Sequence, residues 1–97
     1  MKGFKDFTEF EWDKHNTGHV KKHNVSNTEC EELFFDENKV VFKDLLHSQG
    51  EDRFILLGKT KMGRLLYLVF TIRGERIRVI SCRDLNKKEA HLYEKKA

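Results

Sequence analysis

The chain has 97 residues, enough for one domain with one modest core. Charged residues make up 36% and hydrophobic ones 38%, and the longest apolar run, Leu65 to Phe70, is too short to span a bilayer. The basic charge is concentrated late: Lys59 to Ala97 holds 11 Lys/Arg against 4 Asp/Glu, whereas the first 58 residues hold 8 against 12.

Met1 to Glu9 alternates phenylalanine with charge, lacks the apolar core of a signal peptide, and reads as an N-terminal extension of a single 1–97 domain. Phe10 to Trp12 reads as a short strand or an extended entry. Asp13 can cap a helix running to about His23, with Asn24 as its stop. Ser26-Asn27-Thr28-Glu29 has capping-box spacing and opens a second helix to about Phe35, with Cys30, Leu33 and Phe34 facing a core and Glu29, Glu31 and Glu32 facing water. Lys39 to Lys43 fits a strand, and His47 to Asp52 a polar loop. Three stronger strands follow at Arg53–Lys59, Arg64–Ile72 and Arg76–Cys82, joined by hairpin-length connections that carry Gly63 and Gly74. Asn86-Lys87-Lys88-Glu89 opens a last helix with the same capping spacing. The expected fold is α+β: two N-terminal helices, an antiparallel four-stranded sheet and a C-terminal helix. Cys30 and Cys82 lie far apart in sequence and read as reduced thiols of a cytosolic protein.

Chemistry-bearing residues gather in three places. The first helix has Val20 as its one aliphatic residue, and Asn16, His19, Val20 and His23 fall on one face. Three readings of those histidines stand side by side: a metal site from the four-residue spacing of His15, His19 and His23, a proton-transferring or RNA-contacting imidazole, or hydrogen bonds that close a sheet edge. Arg83 follows the last strand, where a guanidinium fork on a rigid backbone suits a phosphate; the alternative is an ion pair with Asp13 or Asp84. Glu89 and Tyr93 share one face of the last helix, with Tyr93 as a reactive group or a core plug. Arg76 and Arg78 alternate with Ile77 and Val79, so both project from one face. With Tyr67 nearby they suit single-stranded RNA, whose phosphates pair with cations and whose bases stack on rings. No glycine-rich phosphate loop is present.

The ordered set Phe10-Glu11-Trp12-Asp13, Asn16, His19, Lys22-His23-Asn24-Val25-Ser26, Glu29, Leu57-Gly58, Gly63-Arg64-Leu65-Leu66, Val79-Ile80-Ser81-Cys82-Arg83, Glu89 and Tyr93-Glu94 resembles the BrnT family of type II toxins. The resemblance implies a RelE-like fold, ribonuclease activity that inhibits translation, and neutralisation by a small BrnA-like antitoxin in a hetero-oligomer that meets promoter DNA through the antitoxin. It also implies a cytoplasmic protein with no membrane partner. On this reading the enzyme needs no metal or other cofactor, because RNA supplies its own nucleophile, the 2′-hydroxyl. Arg64 and Arg83 converge on the phosphate, His23 with His19 as second choice transfers protons, and Glu89 or Tyr93 assists. Lys22, Arg76, Arg78 and Tyr67 hold the strand. The competing reading is a non-catalytic module whose basic sheet docks an acidic partner.

Overall fold

A computed structural model describes residues 9–96; of the expected 1–9 extension, all but Glu9 lies outside the described residues. The elements are β1 (Glu9–Phe10), α1 (Lys14–Lys21), α2 (Asn27–Leu33), β2 (Val40–Lys43), β3 (Phe54–Lys59), β4 (Leu65–Arg73), β5 (Arg76–Asp84) and α3 (Lys87–Lys96). The expected α+β class and three helices are present. The sheet differs from the expectation: it has five strands in the order β1-β5-β4-β3-β2, and β1 pairs with β5 in parallel, so the sheet is mixed. A two-residue strand is too short to show a period. Its pairing is set from across the molecule, by the register Glu9↔Arg76 and Phe10↔Ile77 and by the Glu9–Arg76 ion pair.

Local signals account for the element ends. Asp13 accepts from the backbone N–H groups of His15 and Asn16 at the start of α1, and Asn24, with φ of 58°, supplies the left-handed residue that stops the chain after it. Ser26 and Glu29 form a reciprocal capping box on α2. That helix ends at Leu33 rather than near Phe35, because Phe34, Phe35 and Asp36 each donate three residues back and tighten the last turn. Gly74, with φ of 62°, forms a two-residue β4–β5 hairpin loop with Glu75.

The sheet has a different cover on each face. On one, Val20, Val25, Cys30, Leu33 and Phe34 from the helical segment pack on Leu56, Leu66, Leu68, Phe70, Ile77, Val79 and Cys82. Here Cys30 and Cys82, remote in sequence, meet in the core as free thiols; a hydrogen bond to Cys82 and burial both push the Cys30 thiol up. On the other face α3 lays Tyr93 against Ile55 and Leu57. The β4–β5 register shifts between Val69↔Ser81 and Phe70↔Val79, which leaves Ile80 as an extra residue in β5. Before this bulge the odd-numbered residues Ile77 and Val79 face the helices; after it Cys82 does. Arg83 therefore emerges on the same face as Arg76 and Arg78.

Two polar clamps fix α1 and its exit. The buried Asn16 amide donates to the carbonyls of Glu11 and Val79, both at 2.9 Å, and its oxygen accepts from the Asp13 N–H at 2.8 Å. It continues the β5 edge where β1 has ended. This is the edge-closing role weighed for His19 and His23, whose rings are instead exposed. Arg64 holds the turn after α1. Its guanidinium donates to the Asp84 carboxylate, to the carbonyls of Asn24 and His23, and to Glu29.

Asn16→Ala strands the Val79 and Glu11 carbonyls and the Asp13 N–H, at a cost of roughly 2–3 kcal/mol, so the thermal midpoint read by circular dichroism should fall by on the order of 10 °C. Asn16→Asp, which cannot donate, should be no better, and a loss under about 2 °C in both would show that the edge is closed by other means. The Arg64 clamp makes a second prediction. The Asp84 carboxyl is held below 3.8 chiefly by Arg64, and that of Glu29 below 4.5 by the Ser26 N–H and then by Arg64. Depressed carboxyls add stability that is complete above those values and is lost as pH falls through the lowered ones. The midpoint should therefore decline between about pH 5 and about pH 3. Arg64→Ala should lower the midpoint at neutral pH and flatten the acid decline, with the Ser26 contribution to Glu29 persisting.

Candidate nucleic-acid interface

Strand alternation sorts the cations. Tyr67, Val69 and Arg73 of β4 share a face with Arg76, Arg78 and Arg83 of β5, and Arg53 enters that face just before β3. Among the described residues α3 packs on Ile55 and Leu57, with Tyr67 and Val69 partly buried against them, and the face beyond, toward Arg73 and Arg76, is exposed.

At the α3 end Arg83 forms a two-pronged fork with Glu89, both bonds 2.8 Å, and its guanidinium carbon lies 3.9 Å from the centre of the Tyr67 ring. The Asp84 carbonyl accepts a further bond from Arg83 at 3.0 Å. Glu89 serves twice, since it also accepts from the Asn86 N–H in the α3 capping box. The fork with Arg83, and then the Asn86 N–H, hold its carboxyl below the ordinary glutamate value, while Glu89 raises the Arg83 pKa further. Burial pushes the Tyr67 hydroxyl up, and the Arg83 charge pulls it back part of the way. A ring, a fixed cation and an ionised carboxylate thus meet at one point on an open sheet.

Arg73, Arg76 and Arg78 form a ladder with carboxylates from earlier in the chain. Arg76 pairs with Glu9, Arg78 with Glu11 and Asp13, and Arg73 with Glu11 and Glu51, at 2.9–3.1 Å. The side chain of Arg78 is only 11% exposed, against 49% for Arg73 and 59% for Arg76. The late basic excess of the sequence is therefore largely consumed by its early acidic excess. The alternative ion pairs weighed for Arg83 go to others: Asp13 takes Arg78 and Asp84 takes Arg64.

Several expected site residues lie elsewhere. Arg64 and Arg83 do not converge. Arg64 turns to the helix side, toward Glu29 and Asn24, and Arg83 to the α3 side, with Asp84 between them. The Arg64 guanidinium is committed to two carboxylates and two carbonyls and offers no open fork to a phosphate shared with Arg83. His23 does sit beside Arg64, but through its backbone carbonyl. Tyr93 is the core plug of the two readings: it is buried and donates to Asp36 at 2.7 Å, and burial with that bond raises it to about 12. His19 stands against His15, ring centres 6.1 Å apart, both residues exposed, and Lys22 is exposed after the end of α1. Among the described residues no group of three His, Cys, Asp or Glu is arranged to hold a metal.

Sequence reasoning missed Arg53 and Glu51 and gave Arg73 no place in a site; with His15, Asn16, His19, Arg78 and Ile80 they line a cleft of about 330 Å³ between α1 and the open face. The expected β4–β5 hairpin held the signal for Arg73, since a two-residue loop places it opposite Arg76 and on the same face. Arg53 was legible as a partner in parity to Ile55 and Leu57.

Among the described residues no helix is long and apolar enough to cross a membrane. Comparison with curated proteins finds no match. Residues 12–89 match the family described as ribonuclease toxin, BrnT, of type II toxin-antitoxin system, in which the toxin's partner is a protein antitoxin. The match covers all but the outermost segments of the chain, from the residue before the α1 cap to the carboxylate that grips Arg83, and the chain belongs to the BrnT family of ribonuclease toxins.

Proposed function

We propose that this toxin is a metal-independent endoribonuclease that cuts single-stranded RNA on the open sheet face, in the cytoplasm, and so blocks translation and growth. Its partner is a BrnA-like antitoxin, through which alone the complex meets promoter DNA. The observation that carries this reading is the Tyr67–Arg83–Glu89 constellation.

In the proposed step Glu89 takes the proton from the 2′-hydroxyl, and that oxygen attacks the adjacent phosphorus. The P–O5′ bond breaks, leaving a 2′,3′-cyclic phosphate. The departing O5′ takes the Tyr67 hydroxyl proton, and the tyrosinate, next to Arg83, regains it from the Glu89 carboxylic acid through water. Arg83 balances the charge that grows on the phosphoryl oxygens. Guanidinium keeps its proton at every working pH, so the charge compensation needs no metal. Arg76 and Lys22 guide the strand, and Arg78 contributes its field from a fixed position. Arg64, Tyr93 and His23 have structural or peripheral places and take no part in this step.

One observation favours the non-catalytic alternative: Arg73, Arg76, Arg78 and Arg83 each already hold a carboxylate of this chain. An acidic antitoxin segment could exchange with those carboxylates without any chemistry.

Purified protein incubated with RNA in excess chelator should yield fragments ending in cyclic phosphate. Arg83→Ala and Glu89→Gln should each lower the cleavage rate by about 100-fold or more, whereas Tyr93→Phe should lower the thermal midpoint and cleave at a rate within about threefold of wild type. RNA left intact by the wild type, together with tight binding of an antitoxin, would transfer the assignment to the docking module.

A further inference from the structure

The cleft beside α1 lies outside the Tyr67–Arg83–Glu89 point. Its walls come from three parts of the chain: His15 and His19 from α1, Arg53 and Glu51 from the start of β3 and the loop before it, and Arg73 and Arg78 from β4 and β5. Its opening continues over α1, where His15 and His19 also line a shallower hollow of about 310 Å³ with Lys14 and Lys22. The two hollows share their imidazoles, so cations run without a break from the sheet face onto the helix.

The charges here are not equivalent. Glu11 and Asp13 tie down Arg78, and Glu11 and Glu51 tie down Arg73. Arg53 is different: among the described residues its guanidinium meets no carboxylate, although it lines the cleft. Lys14 and Lys22 on the rim likewise have no carboxylate partner among the described residues. Five cations therefore surround the double hollow against three carboxylates, and those without a carboxylate among the described residues are Arg53 in the wall and Lys14 and Lys22 on the rim.

Position supplies the second half of the inference. Arg73 is six residues from Tyr67 along β4, about 20 Å at strand rise. Arg78 is five from Arg83 along β5, about 15 Å with the bulge between them. On β4 and β5 the stretch between carries Val69, Ile80 and Ser81 and no acidic residue; the one carboxylate that acts on Tyr67 from the neighbouring edge besides Glu89 is Asp44, which is held by His47. A polyanion fixed at Arg83 would thus cross a short stretch of uncharged strand residues and meet a second cationic station on the same face. A single small ligand cannot bridge that span, whereas a nucleic-acid backbone places a charge at every residue along it.

We propose that the α1 cleft is a phosphate subsite for the same RNA strand, with Arg53 and His19 as the contacting groups, Arg73 and Arg78 as fixed neighbours, and Lys14 and Lys22 receiving the strand as it leaves. This rests on the reading that RNA is the substrate, and it adds a claim about length: the protein grips an oligonucleotide at two points, with the scissile bond at one of them. An acidic protein segment would suit the cations but leave the stacking ring at the other end without a purpose.

Binding of a fluorescent octanucleotide with 2′-deoxy sugars, which cannot be cleaved, separates this proposal from the catalytic one. Arg53→Ala and His19→Ala should each weaken binding about fivefold to tenfold, and Arg53→Ala should lower the slope of log affinity against log salt by roughly 0.7, the value for one phosphate contact on a single strand. A dinucleotide, too short to span both points, should bind the wild type and both variants within about twofold of one another. Circular dichroism checks that the variants are folded, and His19→Gln retains a donor if His19→Ala is disturbed. Octanucleotide affinity and salt slope equal to wild type in both Arg53→Ala and His19→Ala would overturn the subsite, even if Arg83→Ala abolished cleavage. Loss of antitoxin binding in those variants with RNA binding intact would overturn it too, and give the cleft to the protein partner. If the wild type cleaved nothing yet bound the octanucleotide through Arg53, the catalytic reading would fail and the subsite would stand.

Discussion

The junction at which Glu11, Asp13 and Asn16 fasten the start of the chain to β5 is the constraint on which the rest depends. Asn16 completes the β5 edge through Val79, Asp13 caps α1 and grips Arg78, and Glu11 bridges Arg73 and Arg78. Remove these contacts and α1, with hardly any apolar side chain besides Val20, has little to hold it against the sheet. A helix of such composition is placed by polar geometry rather than by burial, and the cost of leaving buried backbone groups unpaired makes that placement specific. The same contacts hold two arginines upright on the open face and set the wall of the cleft.

The Ile80 bulge is the second device. Arg78 and Arg83 are an odd number of residues apart, and in a regular strand they would face opposite sides of the sheet. The extra residue reverses the alternation, keeps Cys82 in the core beside Cys30, and turns Arg83 toward Tyr67 and Glu89. Bulges of this kind commonly re-aim a side chain near a working surface. Here one inserted residue converts a split pair of cations into two stations on one face.

Much of this was legible beforehand for physical reasons. Capping boxes at Ser26 and Asn86, the left-handed stop at Asn24 and the glycine hairpin at Gly74 are local rules, and the structure obeys them. The alternation of Arg76 and Arg78 with Ile77 and Val79 fixed their common face. What escaped was non-local. The parallel β1 pairing and the choice of Asn16 over the histidines as edge cap depend on partners at the other end of the chain, and the bulge depends on how β5 registers against β4. Arg64 and Arg83 looked like a convergent pair because each stands next to a strand end; which face each takes is decided by competing carboxylates, Glu29 and Asp84 for one and Glu89 for the other.

On the proposed reading, the paired arginines also bear on how a neutralised face would hold RNA. A guanidinium offers five N–H donors, and a carboxylate fork uses two. The carboxylate therefore does more to fix the plane of the group than to exhaust it. Arg64 is at one extreme, with its donors directed at two carboxylates and two carbonyls, and it can only be a clamp. Arg83 is nearer the other: its side chain is 39% exposed, and Glu89 and the Asp84 carbonyl take three of its five N–H groups while the fork keeps it in register. An anion arriving there would also meet Glu89, and the mutual repulsion would loosen the fork and raise the affinity of that carboxylate for a proton. On the proposed reading, a group that must accept the 2′-hydroxyl proton would gain basicity in this way only once substrate is present, which would tie the reactive state of the site to occupation by RNA.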